Sequence, residues 1–306
     1  MFENLLTSDI GRTAIVPFGV TFALALIVRA AGGRVLGHRL AAIAIGAGFF
    51  VAYYLIDGIP AFPPAATKHK VFYVAAAGLA LGVVLDLAGL TRAGGHLLAF
   101  LLPAGALYWL RQNQIAAGAS GALIATLAAL FLVSIVVYWR QAASARGSDE
   151  PASSSAALFP PIQLLVAAIG LGGIALLGIS LGFGSLGLAL AAASGGYLLA
   201  SYLAHAFAGR GLGYGATGAF GGGGLWLALG YGAVFEADAP VKLVLLGVIA
   251  LAFVADFLAR PIALAAPFGA GAFARLARPI LHGAVVGIPP AAALAYAWFA
   301  LGWRMG

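Results

Sequence analysis

The chain has 306 residues, of which 16 are Lys or Arg and 9 are Asp or Glu, so that only 8% are charged while 63% are hydrophobic. An ordinary soluble domain carries roughly 25% charged residues, and a chain with so little polar material has nothing to cover a water-facing surface of this size. Soluble enzyme, nucleic-acid-binding domain and disordered chain are excluded as readings of the whole chain; an integral membrane protein remains.

The net charge of +7 does not imply nucleic acid, because the cations stand singly between apolar stretches and no basic run exceeds Lys68-His69-Lys70. Such cations belong to loops and lipid head groups. Cysteine is absent, which excludes disulfides and thiolate chemistry. The N-terminus reaches Asp9 before its first cation, Arg12. It lacks the cationic lead of a signal peptide, so the first apolar segment is expected to stay as a helix.

A bilayer core requires about 20 apolar residues per helix. In chain order the apolar runs predict ten spans, at 13–29, 40–56, 71–91, 95–110, 115–139, 160–181, 185–206, 213–234, 240–259 and 280–302. The fold class expected is an all-α polytopic bundle. Aromatics gather at span ends (Tyr53 and Tyr54, Tyr108 and Trp109, Tyr138 and Trp139, Trp298 and Trp303), as interfacial belts do. The runs are continuous rather than alternating, which argues against a β-barrel.

Assigning the 16 cations to alternate loops puts ten on one side (Arg29, Arg34, Arg39, Arg92, Arg140, Arg146, Arg210, Arg260, Arg275, Arg278) and six on the other. The richer side is expected to be cytoplasmic, with both termini periplasmic in a bacterial inner membrane. Between the fifth and sixth spans, 140–158 is polar and rich in Gly, Ser and Pro, so it reads as a flexible linker between a first half, 1–139, and a second, 159–306. Loop 57–70 holds three prolines, and 260–278 reads as an interfacial segment with Arg260, Arg275 and Arg278.

A shift of 148 residues aligns parts of the halves, with 10 identities in the 39 positions from Ala44 to Gly82, where roughly 4 would arise by chance in so repetitive a composition. Five spans per half is an odd number, so a true repeat would insert its second copy inverted, an arrangement common in secondary transporters.

Ionisable groups within spans are the first functional candidates. Asp86, inside the third span, is either a proton, cation or substrate site or an interfacial carboxylate satisfied by Arg92 or the following loop. Asp256 stands four residues before Arg260, a spacing that offers an ion pair along one helix face. Asp57 and His205 occupy equivalent positions under the 148-residue shift; they are candidate vestibule groups or helix-end caps. Gly222 and Gly223 lie in the run Gly221–Gly224, and Pro289 and Pro290 follow Gly287-Ile288. Interrupted spans of this kind point to transporter binding sites, though small-residue packing and a structural kink explain them as well.

Catalytic motifs are missing: there is no His-Glu-x-x-His, no nucleophile elbow and no phosphate loop, and no His pair lies at metal- or haem-ligand spacing on one helix. Neither enzyme activity nor a cofactor or metal is expected, and nucleic acid is not an expected partner. The expected partner is the lipid bilayer, with other membrane subunits as a further class. The leading functional expectation is a carrier for a small solute or lipid-like molecule, with Asp86 and the broken eighth and tenth spans forming its site. The alternative is a non-catalytic structural or assembly subunit of a larger membrane complex.

Overall fold

The computed structural model describes residues 8–33, 35–64, 66–90, 93–146, 155–178, 180–208, 211–236, 240–267 and 272–301. Arg34, Arg92, Arg210 and Arg304 and the middle of the expected linker, 147–154, lie outside the described residues. Every regular element among them is helical: α1 (Gly11–Ala31), α2 (Leu36–Asp57), α3 (Thr67–Ala88), α4 (Ala93–Ala116), α5 (Gly121–Arg146), α6 (Phe159–Gly178), α7 (Leu181–Ala208), α8 (Thr217–Glu236), α9 (Pro240–Ala265), α10 (Ala272–Val286) and α11 (Ile288–Leu301). Among the described residues eight helices are long and apolar enough to cross a membrane, or nine with α10 and α11 taken as one bent span. The protein is a multi-pass helical membrane protein.

The fourth expected span, 95–110, is present as α4 but is not among those eight. Its backbone leaves helical geometry at Arg111 (φ −120°, ψ 15°), and Pro103 lies inside it, so its unbroken apolar stretch is short. The helix nevertheless connects the two ends of the bundle: Gly94 packs on Leu85, whereas Lys70 Nζ donates to Trp109 O at 3.2 Å and Arg111 Nη2 to Phe235 O at 2.8 Å.

The linker expected at 140–158 is shorter than its polarity implied. Helix α5 runs on to Arg146, because Gln141 is fully buried and Arg140 is held by an ion pair in the protein. A 3-10 turn, Ser155–Leu158, precedes α6, with Ala157 and Leu158 buried. Residues 260–265 of the expected interfacial segment complete α9, and residues 272–278 begin α10.

Small residues bring the helices together. A β-carbon on Gly187 would stand 2.6 Å from Gly172 Cα, so α6 and α7 pack nearly backbone on backbone. Thr21 on α1 donates to Ala44 O on α2 at 3.1 Å, where Gly48 leaves room for its side chain. With no hydrophobic gain between helices in lipid, such close van der Waals approach is what drives association. At the centre lies α8, almost wholly buried and in contact with α2, α3 and α5 of the first half as well as α6, α7 and α9 of the second. Its aromatic residues Phe220, Trp226 and Tyr231 form the core, and Trp226 Nε1 donates to Ala167 O of α6 at 2.9 Å.

Candidate functional site

Asp86 holds the start of α8. The segment Gly211–Tyr214 is non-helical, and Gly215 turns the chain with φ +56°, a conformation that costs a residue with a β-carbon strain. The first amides of a helix have no partner within it. Here a carboxylate from another helix supplies one: Asp86 accepts from Ala216 N at 2.9 Å, Thr217 N at 2.7 Å and Thr217 Oγ1 at 2.6 Å. The negative charge also faces the positive end of the helix dipole. Close approach of α3 depends on two glycines, since β-carbons on Gly78 and Gly82 would stand 2.6 Å from Phe220 O and 2.7 Å from Ala216 O. The segment is pinned from its other side by Ser201 Oγ, which accepts from Leu212 N at 2.9 Å, and by Tyr197, which donates to Gly213 O at 2.5 Å.

Gly222 and Gly223 follow directly. The first turn of α8, Thr217–Gly222, is a π-helix that passes into α-helix at Gly223; π-turns occur often at functional sites. Each glycine of the run faces a different side chain. Gly221 meets Leu79, Gly222 meets Leu164 and the Tyr214 hydroxyl, Gly223 meets Gln141 and Gly224 meets the Tyr138 hydroxyl, with the two hydroxyl oxygens 3.2 and 3.1 Å from the β-carbon positions. Gln141, Gln163 and Tyr214 are fully buried, and among the described residues their amide and hydroxyl groups have no hydrogen-bond partner. A buried polar group without a partner costs about 1–3 kcal/mol.

Asp256 centres a second cluster. Its Oδ1 lies 2.9 Å from His282 Nε2 on α10, and its Oδ2 lies 3.3 Å from Arg140 Nη2 on α5 and 3.5 Å from Arg260 Nε on its own helix. His282 is fully buried and stacks face to face on Phe159, with ring centroids 3.9 Å apart. The Arg260 guanidinium lies 5.6 Å from the same ring. The pair with Arg260 follows from spacing in the sequence; Arg140 and His282, which complete the cluster, lie on other helices, and the sequence places His282 only at the same membrane face as Asp256.

Two cavities beside this cluster share Arg140 and Phe257 in their walls. One, of about 220 Å³, is lined by Arg140, Ala143, Asp256, Phe257, Arg260 and Pro261. The other, of about 540 Å³, lies between α5, α9 and the α10–α11 bend; its walls include Val136, Trp139, Leu251, Phe257 and Pro289, and Arg140 stands in both. Pro289 owes its place to the break at Gly287, where α10 and α11 bend by 41°. Pro290 points the other way, onto α6 at Gly170. A further cavity of about 610 Å³ at the other end of the bundle is lined by residues including Arg111, Gln114, Ser120 and Phe235. None of these three cavities touches Asp86, Gly222 or Gly223.

Asp57 and His205 stand apart from both clusters. Asp57 ends α2 and pairs with Lys68 Nζ at 2.6 Å, at the end of the bundle away from Asp86. His205 is fully buried in the last turn of α7, and among the described residues neither ring nitrogen has a hydrogen-bond partner. Among the described residues no three His, Asp or Glu side chains gather as a metal site would require.

The chain matches no known protein-family model, and no curated protein is detectably similar to it.

Proposed function

We propose that this membrane protein is a carrier for a lipid-like molecule with an anionic head group. One observation supports the reading: the apolar cavity between α5, α9 and the α10–α11 bend ends at Arg140, which also lines the polar cavity with Arg260 and Asp256. Two guanidinium groups against one carboxylate leave an excess of positive charge where an apolar wall meets a polar recess. Arg binds phosphate and carboxylate in a planar, bidentate fashion, and an acyl chain matches the apolar wall. Trp139, Phe257 and Leu258, exposed on the outer surface at 53%, 71% and 60%, give the cavity a lateral opening toward lipid.

In this reading the protein lies in a bacterial inner membrane, with the Arg140 end of the bundle cytoplasmic and both termini periplasmic. Pro289 and the break at Gly287 form the wall that moves, and Asp256 holds Arg140 in place between cycles. Asp86 and the π-turn of α8 are the fixed centre about which the halves rock.

The test is a proteoliposome assay with fluorescent NBD-labelled phosphatidylglycerol bleached by dithionite from outside. The carrier should expose the inner-leaflet label to bleaching, with zwitterionic NBD-phosphatidylcholine bleached much less, and Arg140→Gln should slow the anionic lipid by tenfold or more. Bleaching limited to the outer leaflet for both lipids would remove the carrier reading.

The second reading is a non-catalytic subunit of a membrane complex. It is favoured by the near-complete burial of α8 and by the engagement of both Asp86 oxygens in its cap. Purification in mild detergent followed by native mass spectrometry separates the two, since a subunit co-purifies with stoichiometric partners.

A further inference from the structure

We infer that the groove between α3 and α4 seats one membrane phospholipid with an anionic head group, an acyl chain lying along the groove and the phosphate at Lys70. The site lies at the opposite end of the bundle from the Arg140 cavities and does not depend on the carrier reading. A cavity of about 280 Å³ runs along this seam. Its walls include Ala77, Leu81, Leu98 and Gly105, and Tyr73 and Trp109 stand at one end.

Helices α3 and α4 are antiparallel neighbours. At one end Tyr73 faces Trp109, with ring centroids 6.4 Å apart. At the other, Leu85 packs on Gly94, where a β-carbon would stand 2.4 Å from its Cδ2. Between these contacts the seam stays open, because Ala77 and Gly105 are small and exposed, and a β-carbon on Gly105 would meet nothing within 4 Å.

The length of the groove selects the occupant. At about 1.5 Å per residue, α4 rises about 16 Å from Leu98 to Trp109 and α3 about 12 Å from Tyr73 to Leu81. The hydrocarbon core is about 30 Å thick, so the groove covers one leaflet and closes near the midplane. A partner helix crosses the whole core and needs a seam about twice as long, whereas an acyl chain needs one leaflet.

The polar end supplies the head-group contact. Lys70 Nζ donates to Trp109 O at 3.2 Å and lies 6.0 Å from the centroid of that ring, so the ammonium stands at the mouth of the groove, beside a tryptophan at the interfacial level. An ammonium has three donors, and this bond uses one. Among the described residues no carboxylate pairs with Lys70, while Asp57 is taken by Lys68 at 2.6 Å. The Tyr73 hydroxyl is engaged as well, donating to Pro60 O at 2.7 Å. Lys70 is therefore the group that meets a phosphate, and a head group without a cation of its own is favoured.

Native mass spectrometry tests the site, with the full chain stripped of lipid in mild detergent and titrated with phosphatidylglycerol or phosphatidylcholine. One phosphatidylglycerol should bind about fivefold more tightly than phosphatidylcholine, and Lys70→Gln should abolish that preference, the factor expected for one cation at the membrane surface. Gly105→Leu fills the groove and should weaken both lipids at least tenfold. Its Tm without lipid should hold or rise, since the space is open and leucine favours the helix over glycine. The spectrum counts bound lipids, so a lipid at Arg140 registers separately: it is lost in Arg140→Gln, whereas the lipid at Lys70 is lost in Gly105→Leu. Equal affinity for the two lipids in the unmodified protein would overturn the proposal. So would a Gly105→Leu variant that keeps as many lipids as the unmodified protein.

Discussion

Asp86 and Thr217 are 131 residues apart in the chain, yet one carboxylate oxygen of Asp86 accepts both the amide and the hydroxyl of Thr217, at 2.7 and 2.6 Å. This contact joins α3 to the start of α8, the most buried of the membrane-spanning helices among the described residues. It makes Asp86 a cap for α8, with its charge against the helix dipole.

Removing the cap should therefore act on stability. Asp86→Ala is expected to cost about 2–4 kcal/mol, the loss of charge-assisted hydrogen bonds together with partnerless amides left behind. Thr217→Val removes one of the three bonds and should cost about 1 kcal/mol. Thermal unfolding in detergent checks the order. Asp86→Asn separates the cap from the proposed carrier activity: a variant that folds normally but no longer exposes inner-leaflet NBD-phosphatidylglycerol to bleaching would make Asp86 part of that activity.

Glycines on the buried and outer faces should respond in opposite ways. A β-carbon on Gly82 would lie 2.7 Å from Ala216 O and 2.9 Å from Thr217 Cα, both backbone atoms, whereas one on Gly247 meets nothing within 4 Å. Gly82→Ala should destabilise by about 1–3 kcal/mol through overpacking. Gly247→Ala should be neutral or stabilising by about 1 kcal/mol, from helix propensity alone. Equal melting temperatures for the two variants would contradict the close approach of α3 to α8.

The two ion-pair sites should differ as strongly. Asp256 is buried against the partly exposed Arg140 and Arg260 and the buried His282, so Asp256→Ala leaves two half-buried guanidinium groups without their carboxylate and should cost about 3 kcal/mol, the low end for breaking a buried pair. Lys68, with its side chain 41% exposed beside Asp57, belongs to the class of surface pairs worth about 0–1 kcal/mol. Lys68→Ala should accordingly shift the melt little. Denaturation of both variants in one detergent makes the comparison.

The proposed orientation has a direct check, because the chain has no cysteine. Val35 and Ile59, 61% and 78% exposed, flank α2 at opposite ends. In intact spheroplasts a membrane-impermeant maleimide should label Ile59→Cys, and should label Val35→Cys only after permeabilisation. The reverse pattern would invert the protein in the membrane.

Sequence alone determined the solvent, the helical class and the positions of most crossings, because a bilayer imposes a length and an apolar composition on each span independently of its neighbours. The bend at Gly287–Pro290 was legible for the same local reason, since glycine and proline alter the backbone where they stand, whereas Gly221–Gly224 stay within the helix of α8 and do not break it. The pairings were not. Asp256 meets Arg140 across 116 residues and His282 across 26, and Gln141 reads as the start of a polar linker until α5 carries it into the core. Spacing along one helix reveals only neighbours on that helix. Which helix lies opposite is decided by the packing of Gly78, Gly82, Gly172 and Gly187 against other backbones, so the capped α8 and the Arg140 cavities exist only once the bundle has closed.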